Sequence, residues 1–133
     1  MSVLLDTHFW VWWLTPTSPL SATERGALDN LAEQRKLAIS AISLWEVQML
    51  HARKRLELPV SLAEWLSQAT DENLVTLLPI NLDVVLALDQ LPASFHGDPA
   101  DRVILATARA MTLSLATRDA AIRKSRLVTL WKA

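Results

Sequence analysis

Ser2-Val3-Leu4-Leu5-Asp6 is the stretch that decides the fold, a short apolar run that ends on a carboxylate. It is too short for a helix and shows no polar alternation, so it reads as a strand buried on both faces that delivers Asp6 at its carboxyl end. The pattern returns at Leu37 to Ser40 (LAIS), Leu74 to Leu78 (LVTLL), Leu113 to Ala116 (LSLA) and Leu127 to Leu130 (LVTL). Helical patterns lie between these runs. Thr7 is the expected cap of a short helix through Trp13, and Ser21 with Glu24 has capping-box spacing ahead of Ala27, Leu28 and Leu31. A further helix starts from about Ser43, with Leu44, Val47 and Leu50 at three-residue spacing. Ser61 and Glu64 repeat the capping box before Trp65 and Leu66, and Asn81 caps a segment carrying Val84, Val85 and Leu88. Asp98-Pro99 opens a helix over Val103, Ile104, Ala106 and Ala110, because both residues suit the unpaired backbone donors of a first turn. Ala120 to Lys124 makes a short helical turn.

Short apolar strands alternating with amphipathic helices predict an α/β fold with a central, mostly parallel sheet of about five strands flanked by helices. The length, 133 residues, fits a single domain spanning 1–133. In such sheets functional groups gather at the carboxyl ends of the strands. Asp6 and Asp119 both follow predicted strands, which is the first functional clue.

Composition limits the alternatives. Hydrophobic residues make up 51% of the chain and charged residues 20%, which excludes a disordered tail. With no cysteine there is no disulfide framework, thiolate zinc site or cysteine nucleophile. The first residues lack the basic region of a secretory leader, and the longest apolar run, Phe9 to Leu14, is too short to cross a bilayer. The expectation is a soluble, cytoplasmic protein with no membrane partner. Six Trp with no Tyr, and a mean hydropathy of +0.22, suggest more apolar surface than a lone monomer hides, so a protein partner is expected. The formal net charge of -1 conceals an asymmetry: residues 1–101 hold six basic and thirteen acidic side chains, residues 102–133 seven basic and one acidic.

Asp6, Glu46, Asp98, Asp101 and Asp119 all fall at element ends or in first helical turns. Each alone is weak evidence, since a helix N-terminus favours an acid through its dipole and open N–H groups, and Asp98 has a ready role as a cap. Should the sheet bring Asp6, Glu46, Asp101 and Asp119 together, their repulsion calls for a hard divalent cation with oxygen ligands, Mg²⁺ or Mn²⁺. Such a site polarises a phosphoryl oxygen and acidifies water, which is phosphodiester hydrolysis chemistry.

Four segments carry a family resemblance. Val3-Leu4-Leu5-Asp6-Thr7-His8 with Trp12-Trp13, and Ser40-Ala41-Ile42-Ser43-Leu44-Trp45-Glu46, resemble the first two acidic motifs of PIN-domain ribonucleases, in particular the VapC-like toxins of bacterial toxin–antitoxin pairs. Arg55-Leu56-Glu57-Leu58-Pro59 is similar to the segment that often follows the second motif. His96-Gly97-Asp98-Pro99-Ala100-Asp101-Arg102 with Ile104 to Ala108 resembles the third, and Ala116-Thr117-Arg118-Asp119 the fourth. The resemblance implies a PIN-like three-layer fold and an Mg²⁺-dependent endoribonuclease toxin. Asp6, Glu46, Asp101 and Asp119 would be its catalytic metal site, with Asp98, Thr7 and Thr117 in support. It also implies a homodimer and a cognate antitoxin whose C-terminal segment lies across an apolar groove. The groove's expected walls are the helices near Trp10 to Trp13, Ala41 to Leu50 and Leu62 to Leu66.

Other residues have more than one reading. Trp10, Trp12 and Trp13 would stack on unpaired bases or, more commonly for adjacent aromatics, fill a core. Trp45 and Trp65 are read as core or groove residues. Arg102, Arg118, Arg123 and Lys124 are candidate RNA contacts, although Arg102 and Arg118 could instead pair with the acids beside them. Two other functional classes remain open, a different metal-dependent phosphohydrolase and a non-enzymatic interaction domain. An aspartyl phosphotransferase fits poorly, because its second Asp would stand where His8 is. A phosphoacceptor domain lacks its acceptor Asp and late Lys, with Pro79 and Arg118 in place of that pattern.

Overall fold

The computed structural model describes residues 2–133. The elements run β1 (Val3–Leu5), α1 (Thr7–Trp13), α2 (Ala22–Glu33), β2 (Leu37–Ser40), α3 (Ala41–Ala52) and α4 (Leu62–Ala69). They continue with β3 (Thr76–Leu78), α5 (Leu82–Asp89), α6 (Pro99–Met111), β4 (Ser114–Ala116) and α7 (Ala120–Ser125). The four strands form one parallel sheet in the order β3-β2-β1-β4, with Leu5 opposite Ile39 on one side and Ala116 on the other. Because every strand points the same way, the residues after β1 and β4 emerge at one edge of the sheet. That edge holds Asp6, Thr117 and Asp119.

The alternation of side chains along each strand builds two cores. Val3, Leu5, Leu37, Ile39 and Ala116 face one layer, packing with Phe9, Trp10, Trp13, Leu28 and Trp65. Leu4, Ala38 and Leu115 face the other, against Phe95, Ile104, Leu105 and Ile122. This double burial is why β1 is wholly apolar and why β2 and β4 carry nothing more polar than a buried Ser40 and Ser114. Trp10 and Trp13 belong to the first core, and their indole N–H groups donate to the Ala69 carbonyl (3.1 Å) and Asp29 Oδ1 (2.8 Å). Trp10 meets Trp65 edge-on at 5.0 Å. Packing therefore claims two members of the Trp cluster, and only Trp12 remains half-exposed.

Several expectations need correction. The sheet has four strands among the described residues, not about five. Leu127 to Leu130 makes only a single parallel bridge, Leu130 to Leu115. Its first residue has spent its backbone groups elsewhere: Leu127 N–H donates to Ser125 Oγ and its carbonyl accepts from Arg109. The cap of α1 is Asp6, not Thr7, and α3 starts at Ala41 under a Ser40 cap rather than at Ser43. Of the two Trp read as core or groove residues, Trp65 is core and Trp45, 49% exposed, is not. In α5 only Val84 is buried; Leu82, Val85 and Leu86 are exposed, together with Leu77 and Ile80 beside them. No helix among the described residues is long and apolar enough to cross a membrane.

Candidate active site

At the carboxyl edge of the sheet, a cavity of about 320 Å³ is lined by Asp6, Glu46, Asp98, Asp101 and Asp119, together with His8, Trp12 and Arg118. Five carboxylates from four chain segments thus share one wall system. All five acids singled out in the sequence are brought together.

Backbone geometry aims most of them. Asp6 ends β1 and caps α1, its Oδ1 accepting from Phe9 N–H at 2.8 Å. Asp98 caps α6 by accepting from Asp101 N–H at 2.8 Å, with Pro99 in the first helical turn. Asp119 caps α7, accepting from Ile122 N–H at 2.9 Å. Glu46 reaches in from the middle of α3 and Asp101 from the first turn of α6. Gly97 is required next to them: an added Cβ would stand 2.6 Å from the Phe95 ring and 3.3 Å from Asp101 Cβ.

Two hydroxyl residues support the acids. Thr117 hydrogen-bonds the Asp6 carboxylate, and its Oγ1 also accepts from Asp119 N–H at 3.0 Å. Thr7 hydrogen-bonds Glu46, and its Oγ1 lies 2.9 Å from Ser43 Oγ. Ser43, fully buried, is a member of the site that reading the sequence missed. Its signal was its place three residues before Glu46, which puts both on one helical face.

The electrostatics follow from crowding. Burial pushes the Asp6 carboxyl up from its ordinary value, against the Thr117 and Phe9 hydrogen bonds that favour its charge. Burial also raises Glu46, with Asp98 and Asp6 adding repulsion and Thr7 and His8 opposing it. Asp101 is pushed up to about 7, first by burial and then by Asp98, Asp119, Glu46 and Asp6. Among the described residues no three acidic or imidazole side chains already converge as finished ligands. Like charges at this density spread apart, and drawing them onto one point takes a cation. The donor set is all carboxylate oxygen, which fits Mg²⁺ or Mn²⁺ and not a soft metal.

The basic candidates separate. Arg118 does not pair with Asp119 beside it. Its Nη2 donates to Glu24 at 2.7 Å and its Nη1 to the Pro19 carbonyl at 3.4 Å, while the guanidinium lies over the Phe9 and Trp12 rings at 5.6 and 5.5 Å. Glu24 is held below the usual carboxylate range, chiefly by Ser21 N–H and then by Arg118. Arg102 donates to the Phe95 carbonyl at 3.0 Å rather than to Asp101, and Arg123 to the Thr117 carbonyl at 2.9 Å. Lys124 is exposed and does not line the acid cavity.

A larger groove of about 810 Å³ adjoins the acid cavity and shares His8, Trp12, Glu46 and Asp98 with it. Val11, Trp45, Met49, Leu50 and Leu56 give it an apolar lining. Helices α1 and α3 wall it as expected. Helix α4 does not: Arg53 to Glu57 and the start of α6 take that side, because Trp65 is turned into the core.

A parallel sheet with an acid-lined carboxyl edge is the architecture of a nuclease-like α/β domain, and the PIN domain family model matches residues 3–126. The chain belongs to the PIN-domain family. Within it, the chain is 36% identical over 133 residues to Ribonuclease VapC22 of Mycobacterium tuberculosis, covering 98% of both. Its fold is similar to a chain of VapBC2 from Rickettsia felis bound to a DNA fragment from their promoter, with a TM-score of 0.76 at 17% identity over 98% of both chains. It is also similar to a chain of FitAcB from Neisseria gonorrhoeae, with a TM-score of 0.71 at 25% identity over 98% of this chain and 96% of that one.

Proposed function

We propose that this protein is a VapC-like endoribonuclease toxin that depends on Mg²⁺, with Mn²⁺ as a substitute, and is restrained by a cognate antitoxin. The observation that carries the reading is the convergence of five carboxylates from separate segments on one cavity at the carboxyl edge of the sheet. Its 36% identity to a ribonuclease over nearly the whole chain supports RNA as the substrate.

In this reading Asp6, Glu46, Asp101 and Asp119 hold the cation. When bound, it supplies charge neutralisation at a phosphoryl oxygen and lowers the pKa of water. The chain does the rest. The Phe9 N–H and the Thr117 hydroxyl fix the Asp6 carboxylate so that little reorganisation is needed. Thr7 and Ser43 steady Glu46 in the same way. Asp98 adds negative field while capping α6. Water attacks phosphorus and the strand parts to leave a 5′-phosphate and a 3′-hydroxyl, with no covalent link to the protein.

The antitoxin segment is assigned to the apolar groove, where an occupant would reach the acids through the shared residues. The homodimer contact is assigned to the exposed Leu82, Val85 and Leu86 of α5, with Leu77 and Ile80. The decisive experiment is cleavage of RNA by the purified chain with Mg²⁺, compared with Asp6→Asn. Cleavage by the parent and none by the folded variant is expected; full activity in Asp6→Asn overturns the assignment.

A further inference from the structure

Arg118 is a common wall of two cavities, the acid cavity and a second cleft of about 290 Å³ on its far side. We propose that this cleft, formed by Arg118, Arg123, Lys132 and Trp131, is a second substrate subsite that grips an RNA phosphodiester flanking the one cut at the acids. The proposal rests on the ribonuclease reading and extends it by giving the strand a path away from the acids.

The floor under the route is continuous. Trp12, which lines the acid cavity, lies 5.9 Å from Phe9, and Phe9 lies 6.1 Å from Trp131 in the second cleft. The Arg118 guanidinium rests over the first two of these rings, so its plane is set before any ligand arrives. Glu24 and the Pro19 carbonyl hold its outer edge. Arg123 is steadied by the Thr117 carbonyl, next to the hydroxyl that serves Asp6 and Asp119.

Charge argues for this side. A polyanion crossing five carboxylates is repelled at every phosphate but the one neutralised at the metal site, so it needs cations immediately beyond them. In the second cleft Arg118 and Glu24 engage each other, which leaves Arg123 and Lys132 as exposed cations with no acidic side chain of the cleft against them. The opposite neighbour, the 810 Å³ groove, sets Arg53 and Arg55 against Glu46, Glu57 and Asp98 beside its apolar lining, so it holds no excess of positive charge and suits a protein segment better than a phosphate backbone.

The test is binding of a single-stranded RNA oligonucleotide by the Asp6→Asn chain with Mg²⁺ present, so that cleavage does not intervene. Lys132→Ala and Arg123→Ala should each weaken binding about three- to tenfold and reduce the slope of log K against log salt by about 0.7, over roughly 50 to 200 mM salt. Lys132→Arg should restore both. An oligonucleotide with one uncharged methylphosphonate next to the scissile linkage should lose the same affinity on the parent, and nothing further on Lys132→Ala. Unchanged affinity and slope in both alanine variants overturn the subsite, as does a Lys132→Ala loss that simply adds to the methylphosphonate loss at every linkage. Cleavage by the wild-type chain separates the two levels: if it cuts RNA while these variants bind normally, only the subsite fails. If it neither cuts nor binds RNA, the ribonuclease reading fails and takes the subsite with it.

Discussion

The helices that begin at the acid cavity and those that begin elsewhere solve the same problem with different residues. Away from the cavity, α2, α4 and α5 are capped by Ser21, Ser61 and Asn81. At the cavity, α1, α6 and α7 are capped by Asp6, Asp98 and Asp119. Neutral Ser and Asn cap about as well as Asp. The negative charge on the three cavity caps is therefore more than a helix start requires. Each cap uses only the Oδ1 atom, so one carboxylate both starts a helix and faces the site. The difference separates two roles that coincide in a single residue, the hydrogen-bond acceptor that folding needs and the charge that the proposed cation site needs.

Substitutions that keep the acceptor and remove the charge test this directly. The largest effect is expected from Asp6→Asn, which should lower RNA cleavage roughly 10²- to 10³-fold or more while the thermal midpoint holds, since Asn remains a good cap. The mirror change, Asn81→Asp, should leave cleavage alone; a loss there would break the comparison.

Asp101 comes next, through pH. Its folded pKa of about 7 lies above the ordinary 3.8, so the metal-free native state holds a proton that the unfolded chain releases. Its contribution to stability is complete below about pH 4 and is lost as pH rises toward 7. Urea titrations without metal should show stability falling across that window, by roughly 1 to 2 kcal/mol from this group after allowance for its partial exposure. Asp101→Asn should flatten the slope and reduce the stabilisation gained on adding Mg²⁺.

Asp98 gives an intermediate effect. Asp98→Ala should cost about 1 kcal/mol from the lost cap, whereas Asp98→Asn should cost almost none. Both should weaken Mg²⁺ affinity by calorimetry to a similar degree, because both remove the same charge. The smallest change belongs to Ser61→Ala, about 1 kcal/mol in stability with Mg²⁺ affinity untouched.

Much of this was legible in the sequence, because short-range rules govern it. The strands at Val3, Leu37 and Ser114 were visible as apolar runs, since a strand covered on both faces has no polar face to show. The Ser21 capping box and the Asp98-Pro99 start depend on residues three apart and appear as read. What depends on distant partners was not legible. Arg118 finds Glu24 across 94 residues, and nothing near either announces it. Leu127 to Leu130 has strand composition, yet Ser125 and Arg109 take the backbone groups of its first residue. Val85 and Leu86 look like core residues by type, but they sit where the molecule ends. The five acids were identifiable one by one; their sharing of a cavity is a property of the parallel sheet.

His8, Trp12, Glu46 and Asp98 belong to both the acid cavity and the apolar groove. This common wall has a kinetic consequence. If the acid cavity is the proposed catalytic site, a ligand in the groove that touches these four side chains obstructs the substrate without any change of shape, so it should act as a competitive inhibitor, raising KM and leaving kcat intact. The onset of activity after the ligand's supply stops is then timed by its dissociation rate alone.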